Sequence, residues 1–164
     1  KSFCVTQIVD YLSQTNQYYK RYQIPNIEKH FGLLIEKSPY KNNNLELIRE
    51  FFFELKHELL RRIEDDQHSW FPKIKRLSAN VHSQIPDFSL TSFLKDDPDP
   101  IEEKLNDLKS LFVLHLTGKY DLNLCYGVIF AIFSLEKDIK QNNRIRNRIL
   151  KPLYHLLQSA QFSN

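Results

Sequence analysis

Five polar side chains stand at positions where amphipathic helices would present their buried faces. Asn142 and Arg146 are one helical turn apart, in a stripe with Leu135, Ile139, Ile149 and Leu153. Asn16 lies in another apolar stripe, and Arg62 and Asp66 repeat the one-turn spacing in a third, formed by Leu55, Leu59 and Ile63. A lone buried charge is costly unless it is paired, and helical bundles build ligand and metal sites from such inward positions. The pattern favours a polar site inside a bundle. The plainer alternative is that each arginine buries only its stem and reaches solvent.

The histidines are the other candidates for metal chemistry. His57, Glu64 and His68 share one helical face at spacings of seven and four, a possible metal arrangement. That face is opposite the apolar stripe of the same helix, so no neighbouring helix would supply a second shell of partners. We interpret it as solvated surface. His115 is predicted to lie on the inner face of the third main helix, where a lone histidine is more often a core residue than a ligand.

Composition limits the class of protein. The chain has 164 residues, 41% of them hydrophobic and only three of them glycine, which predicts one all-α domain over residues 1–164. Lys and Arg number 23 and Asp and Glu number 20, and so small an excess of positive charge does not favour nucleic acid as a partner. Cys4 and Cys125 form no C-x-x-C, which favours a reduced, cytoplasmic protein. No apolar run approaches the ~20 residues of a membrane span, and the sequence contains no phosphate loop or nucleophile motif.

Apolar spacing predicts where the helices lie. We expect helices over residues 6–22, 25–35, 45–70, from Pro100 onward, and 124–157, with turns at SPYKNNN and 117–123 and a long loop over 78–100. Pro72 is expected to end or bend the second long helix, and Pro152 to kink the last. Together these elements predict a four-helix bundle. The inward residues are predicted to be Val5, Ile8, Val9, Leu12 and Tyr19; Ile48, Phe52, Leu55, Leu59 and Ile63; and Ile101, Leu105, Leu108 and Phe112.

Three windows of the sequence resemble one family. Residues 138–152, DIKQNNRIRNRILKP, are similar to a last-helix pattern DLxxHIHLENNILFP, and residues 55–72, LKHELLRRIEDDQHSWFP, to LxxELxxHxxxEExxLFP. The first helix matches IxDYIxxTHHxY through Ile8, Asp10, Tyr11, Leu12, Thr15 and Tyr19. These patterns are typical of hemerythrin-like (HHE) di-iron proteins, in the branch that repairs iron–sulfur clusters after nitrosative or oxidative stress. The resemblance implies a hemerythrin-like up-down four-helix bundle with a long loop between the second and third main helices.

The resemblance also implies where iron ligands would stand. The family's ligand His and Glu of the last helix fall on Asn142 and Arg146, those of the second long helix on Arg62 and Asp66, and the first-helix histidine on Asn16. Of these five positions only Asp66 keeps a residue suited to iron. Arginine has no lone pair to offer and repels a cation. We therefore expect a vestigial di-iron site in which Asp66 pairs with Arg62 or Arg146.

Three hypotheses of function follow. The first is a metal-free binding or regulatory module with an unknown protein partner and no catalytic residues. The alternative is a retained di-iron protein of iron–sulfur cluster repair or of the response to nitric oxide or oxygen, with Asp66 joined by Asp107 and His115. The third is a helical domain that binds an acidic protein or nucleic acid through its basic C-terminal surface.

Overall fold

The computed structural model describes residues 5–38, 43–80, 98–115 and 120–161. Within these ranges the chain is all-α, with no strand. The helices are α1 (Val5–Tyr18), α2 (Ile24–Glu36), α3 (Asn43–Asp65), α4 (Phe71–Asn80), α5 (Pro100–His115), α6 (Leu122–Ile145) and α7 (Lys151–Gln161). Three π-helical turns join consecutive helices without a break: π1 (Tyr19–Gln23), π2 (Asp66–Trp70) and π3 (Arg146–Leu150). The described residues therefore form four long helices.

The predicted inner faces are confirmed. All fourteen residues named above for the first three long helices are buried, as are Asn16 and Asp66. Side chains one turn apart on an α-helix share a face, so apolar spacing was sufficient to find these stripes. Residues 39–42 of the predicted turn SPYKNNN and most of the predicted loop at 78–100 lie outside the described residues. The last two residues of that predicted turn, Asn43 and Asn44, are helical instead and begin α3.

The effect of Pro72 was predicted wrongly in part. The helix does not end there: it continues through π2 into α4, so residues 78–80 are helical and not loop. A proline ring collides with the carbonyl four residues earlier in a regular α-helix. The wider π turn, in which the Phe71 N–H reaches back five residues to the Asp66 carbonyl, lies directly before the proline and makes room for it. π1 and π3 precede Pro25 and Pro152 in the same way.

The π turns also change which residues face inward after them. Each π turn inserts one extra residue, so the apolar stripe moves by one position. In the last helix the buried residue is Leu150, whereas Ile149, the one predicted, is only partly buried. The prediction for Ile149 assumed a constant α-helical period, and π3 breaks that period.

Aspartates begin the third and fourth long helices. Asp99 Oδ1 accepts hydrogen bonds from the backbone N–H groups of Ile101 and Glu102. Asp121 Oδ1 accepts hydrogen bonds from those of Asn123 and Leu124. These bonds satisfy donors that a helix start leaves without partners. They fix α5 at Pro100, as predicted, and α6 at Leu122, two residues before the predicted start.

The residues group into two compact units. The first comprises the described parts of Lys1–Asn16, Arg62–Asp97 and Gln141–Asn164, and the second those of Gln17–Arg61 and Pro98–Lys140. The first unit has a core of Val5, Ile8, Val9, Leu12, Phe71, Ile74, Leu77, Leu150, Leu153 and Leu157. The second has an aromatic centre in which Phe31 contacts Phe52 and Phe112. Across the described residues, no helix combines the length and the apolar character that a membrane span requires.

Candidate functional site

The first unit contains a buried ion pair between Asp66 and Arg146. Arg146 Nη1 donates to Asp66 Oδ2 at 2.5 Å and Nη2 donates to Oδ1 at 2.6 Å. Asp66 is only 1% exposed, and the Arg146 side chain 13%. Two parallel bonds between a guanidinium and a carboxylate are the strong form of this interaction. The predicted pairing of Asp66 with an arginine is present, and the partner is Arg146.

Asn16 is a further hydrogen-bond donor to the carboxylate of Asp66. Its Nδ2 donates to Asp66 Oδ2 at 2.9 Å, and the residue is buried. Residues from α1, π2 and π3 therefore converge on one carboxylate, which accepts three hydrogen bonds from the part of the chain that the structure describes. A buried charge is tolerated only when it is paired and its remaining lone pairs are used, and this arrangement meets both conditions.

The Arg146 side chain is held inside and does not reach for solvent. Its guanidinium carbon lies 4.6 Å from the centre of the Trp70 ring and 6.0 Å from that of Phe71. A cation over an aromatic face is attracted by the ring quadrupole, most strongly by tryptophan. The alternative in which Arg146 buries only its stem is therefore wrong. The π2 turn supplies both Asp66 and Trp70, the first and last of its five residues.

The other two predicted residues, Asn142 and Arg62, also form hydrogen bonds to other helices. Asn142 is buried, and its Nδ2 donates to Thr15 Oγ1 at 2.8 Å. The Thr15 hydroxyl in turn donates to the Leu12 carbonyl at 2.9 Å. Arg62 Nη2 donates to Asn143 Oδ1 at 2.7 Å. Thus Asn16 and Arg146 each bind Asp66 directly. Asn142 binds Thr15, the chain neighbour of Asn16, and Arg62 binds Asn143, the chain neighbour of Asn142.

Sequence reasoning missed Thr15 and Asn143 as members of the site. Asn143 is as buried as Asn142. The repeated asparagine at 142 and 143 was the available signal: two adjacent polar residues on an otherwise apolar helix face both need partners when buried. Thr15 carried no such signal, because a threonine at a helix interior often bonds its own backbone, as this one also does.

The donor set at this position does not suit a pair of metal ions. Asp66 is the only carboxylate among the five residues, and both of its oxygens accept hydrogen bonds from Arg146. The additional residues proposed for a retained iron site, Asp107 and His115, are both exposed on α5. The prediction that His115 faces inward is wrong: it is the last residue of α5, beyond the final buried position at Phe112.

The other candidate metal face belongs to the second long helix. His57, Glu64 and His68 are exposed, as predicted. Among the described residues, no group of three or more His, Cys, Asp or Glu side chains is placed to share a metal ion.

A second buried carboxylate, Glu136, lies in the second unit and was not predicted. It accepts hydrogen bonds from Lys109 Nζ at 2.8 Å and Lys140 Nζ at 2.6 Å. Burial alone would raise the pKa of this carboxyl, but the two lysines together hold the pKa below its ordinary value. In the same unit, the buried Gln23 side chain donates to Asp138 Oδ2 at 2.7 Å.

Comparison with family models, with curated proteins and with solved structures gives no match to this chain.

Proposed function

We propose that this chain is a hemerythrin-like helical domain in which an ion pair occupies the position of the family's di-iron centre, and that it works as a metal-free binding or regulatory module. The observation that carries the proposal is the buried Asp66–Arg146 pair with Asn16 bound to the same carboxylate. Its three residues stand where the resemblance places one iron ligand on each of three helices. The guanidinium supplies the positive charge that iron would otherwise bring to this carboxylate.

The chemistry of the donors supports a structural role for the pair. Arginine keeps its proton at any pH a folded protein tolerates and has no lone pair for a metal. A buried ion pair is a weak source of stability, but it penalises every arrangement that separates its partners. Asp66 and Arg146 lie on different helices, so the pair fixes the register of one helix against the other.

Exposed aromatic side chains support a binding role. In the described part of the chain, Tyr18 and Tyr22 are exposed on the first long helix with ring centres 5.6 Å apart. Tyr126, Phe130 and Phe133 are exposed on α6. Single exposed hydrophobic residues are ordinary, but rows of them mark surfaces that other molecules cover.

Metal content tests the proposal directly. Protein expressed in iron-replete cells should contain far less than one iron per chain by elemental analysis. Its ultraviolet–visible spectrum should lack the band of oxo-bridged iron. About two irons per chain would overturn the proposal and restore the alternative of a protein of iron–sulfur cluster repair or of nitric-oxide or oxygen sensing.

Restoring the ligands tests whether the site is vestigial. A variant with Asn16→His, Arg62→His, Asp66→Glu, Asn142→His and Arg146→Glu carries the family's residues at all five positions. We expect it to gain bound iron that the original chain lacks. The matched control restores only the two ligands of the last helix and should bind little. A helical five-residue variant that takes up no iron would show that these positions do not converge as a hemerythrin-like centre.

A further inference from the structure

The N-terminal part of α6, from Leu122 to Leu135, is apolar on two opposite sides. One side is buried through Cys125, Val128, Ala131, Ile132 and Leu135. The opposite side is exposed and carries Leu122, Tyr126, Phe130 and Phe133. A helix that is hydrophobic all round is normally covered all round, yet within the described residues only one side of α6 is covered.

The exposed side is a continuous row. Leu122, Tyr126, Phe130, Phe133 and Lys137 follow one another at steps of four, four, three and four, which places them along one line of the helix. We call this row the α6 outer face. The Tyr126 and Phe130 ring centres are 6.3 Å apart, and Lys109 Nζ lies 5.3 Å from the Phe133 ring centre. Each of these three rings therefore has a neighbouring side chain on the surface.

We propose that the α6 outer face binds the same face of a second copy of this chain, with the two α6 helices antiparallel about a twofold axis beside Phe130. A twofold interface pairs residues whose numbers add to a constant. With Phe130 near the axis, Tyr126 lies against the partner's Phe133, and Leu122 lies beside the partner's Lys137. The centre of the row is therefore apolar. When a second copy lies antiparallel against it, each aromatic residue of the row meets an aromatic residue of the other copy.

Charge at the two ends selects the antiparallel arrangement. Asp121 directly precedes α6 and is exposed, and Lys137 is exposed at the other end of the row. In the antiparallel pair each Lys137 lies next to the partner's Asp121, so two ion pairs close the interface. In a parallel pair the two Asp121 carboxylates would lie side by side, as would the two Lys137 ammonium groups, and such like-charge contacts are unfavourable.

The area indicates a weak dimer. Tyr126, Phe130 and Phe133 are 51%, 68% and 44% exposed, and a fully exposed aromatic side chain offers roughly 200 Å². With Leu122 and the Lys137 stem, the two copies together would bury roughly 1,000 Å², the low end for specific association. We therefore expect a dimer that dissociates on dilution. The dimer does not depend on whether a metal binds near Asp66.

Sedimentation of the full chain over a range from about 1 µM to about 300 µM measures the dimer. Phe130→Glu should raise the dissociation constant about tenfold or more, because it puts two carboxylates at the apolar centre. Lys137→Glu should weaken the dimer less, and its effect should shrink at high salt. The matched control is Leu47→Glu, since Leu47 is 60% exposed on α3; its dimer should equal that of the original chain. Circular dichroism checks that each variant is helical.

Disulfide formation tests the position of the axis. In a Cys4→Ser background, Phe130→Cys should give a covalent dimer on mild oxidation, whereas Leu47→Cys should not. Cys125 is buried and gives no background reaction. Three results would overturn the proposal: a monomer at the highest concentration, a dimer indifferent to Phe130→Glu, or a monomeric chain whose α6 outer face instead binds lipid vesicles.

Discussion

Removing one partner of the Asp66–Arg146 pair should destabilise the protein far more than removing both. Asp66→Asn leaves the Arg146 guanidinium, 13% exposed in the original chain, without a counter-charge. Breaking a buried ion pair in this way costs about 3–5 kcal/mol of the free energy of unfolding. Arg146→Met leaves the Asp66 carboxylate buried without a counter-charge, with Asn16 still donating one hydrogen bond to it. We therefore expect a loss of similar size in the free energy of unfolding. The double variant Asp66→Leu/Arg146→Met replaces the pair by apolar side chains and should recover most of that loss.

Urea denaturation followed by circular dichroism gives the free energies of unfolding for this double-mutant cycle. The matched control is the Lys75–Asp10 pair of the same unit, at 2.6 Å but 44% and 51% exposed. An exposed pair contributes at most about 1 kcal/mol, so Lys75→Met should have little effect. The reasoning is refuted if Asp66→Asn costs no more than Lys75→Met, or if the double variant is less stable than both single variants.

Three further outcomes are expected. Asn16→Leu should cost about 2 kcal/mol in the same assay, because Asp66 loses a charge-assisted hydrogen bond; Asn142→Leu should cost less, since the buried Asn142 side-chain oxygen has no hydrogen-bond partner among the described residues. Arg146→Met should change the emission of Trp70, the only tryptophan of the chain, because Arg146 lies over the indole face. Lys75→Met should leave the emission unchanged. Lys109 and Lys140 hold the pKa of Glu136 below its ordinary value of 4.5, so the carboxylate contributes stability above that pH and loses it as the pH falls through the lowered pKa. Stability measured between pH 7 and pH 3 should therefore fall more steeply in the original chain than in Glu136→Gln, and equal slopes would contradict the pairing.

The fold class and the buried faces could be predicted from the sequence because they depend on one number, the α-helical period. Leu55, Leu59 and Ile63 recur at that period, and their burial needs no knowledge of the neighbouring helices. The same period placed Asn16, Asp66 and Asn142 inside. Their partners could not be predicted in the same way, because a hydrogen bond such as Arg62 to Asn143 depends on how two helices lie side by side.

The choice between Arg62 and Arg146 shows where spacing stops being informative. Both arginines stand one turn from an inward polar residue, and both were candidates for Asp66. Arg146 has an aromatic wall beside it, supplied by Trp70 and Phe71, and Arg62 donates a hydrogen bond to Asn143. A guanidinium that loses water regains part of the lost interaction from such rings, so the local surroundings, and not the spacing, decide which arginine is buried against the carboxylate.

The π turns connect the ion pair to the apolar core that follows it. Asp66 and Phe71 are five residues apart and both buried. In a regular α-helix five residues at about 100° each would turn Phe71 roughly 140° away from Asp66. The i to i+5 bond from the Phe71 N–H to the Asp66 carbonyl adds one residue to the turn and brings both side chains to the same side. Asp66, Arg146 and Tyr19 each begin such a turn six residues before a proline. Pro72 and Pro152 therefore follow the π turns at which the inward-facing positions of each helix shift by one residue, between the polar site and the apolar core. A constant α-helical period cannot predict the inward-facing residues on both sides of such a turn.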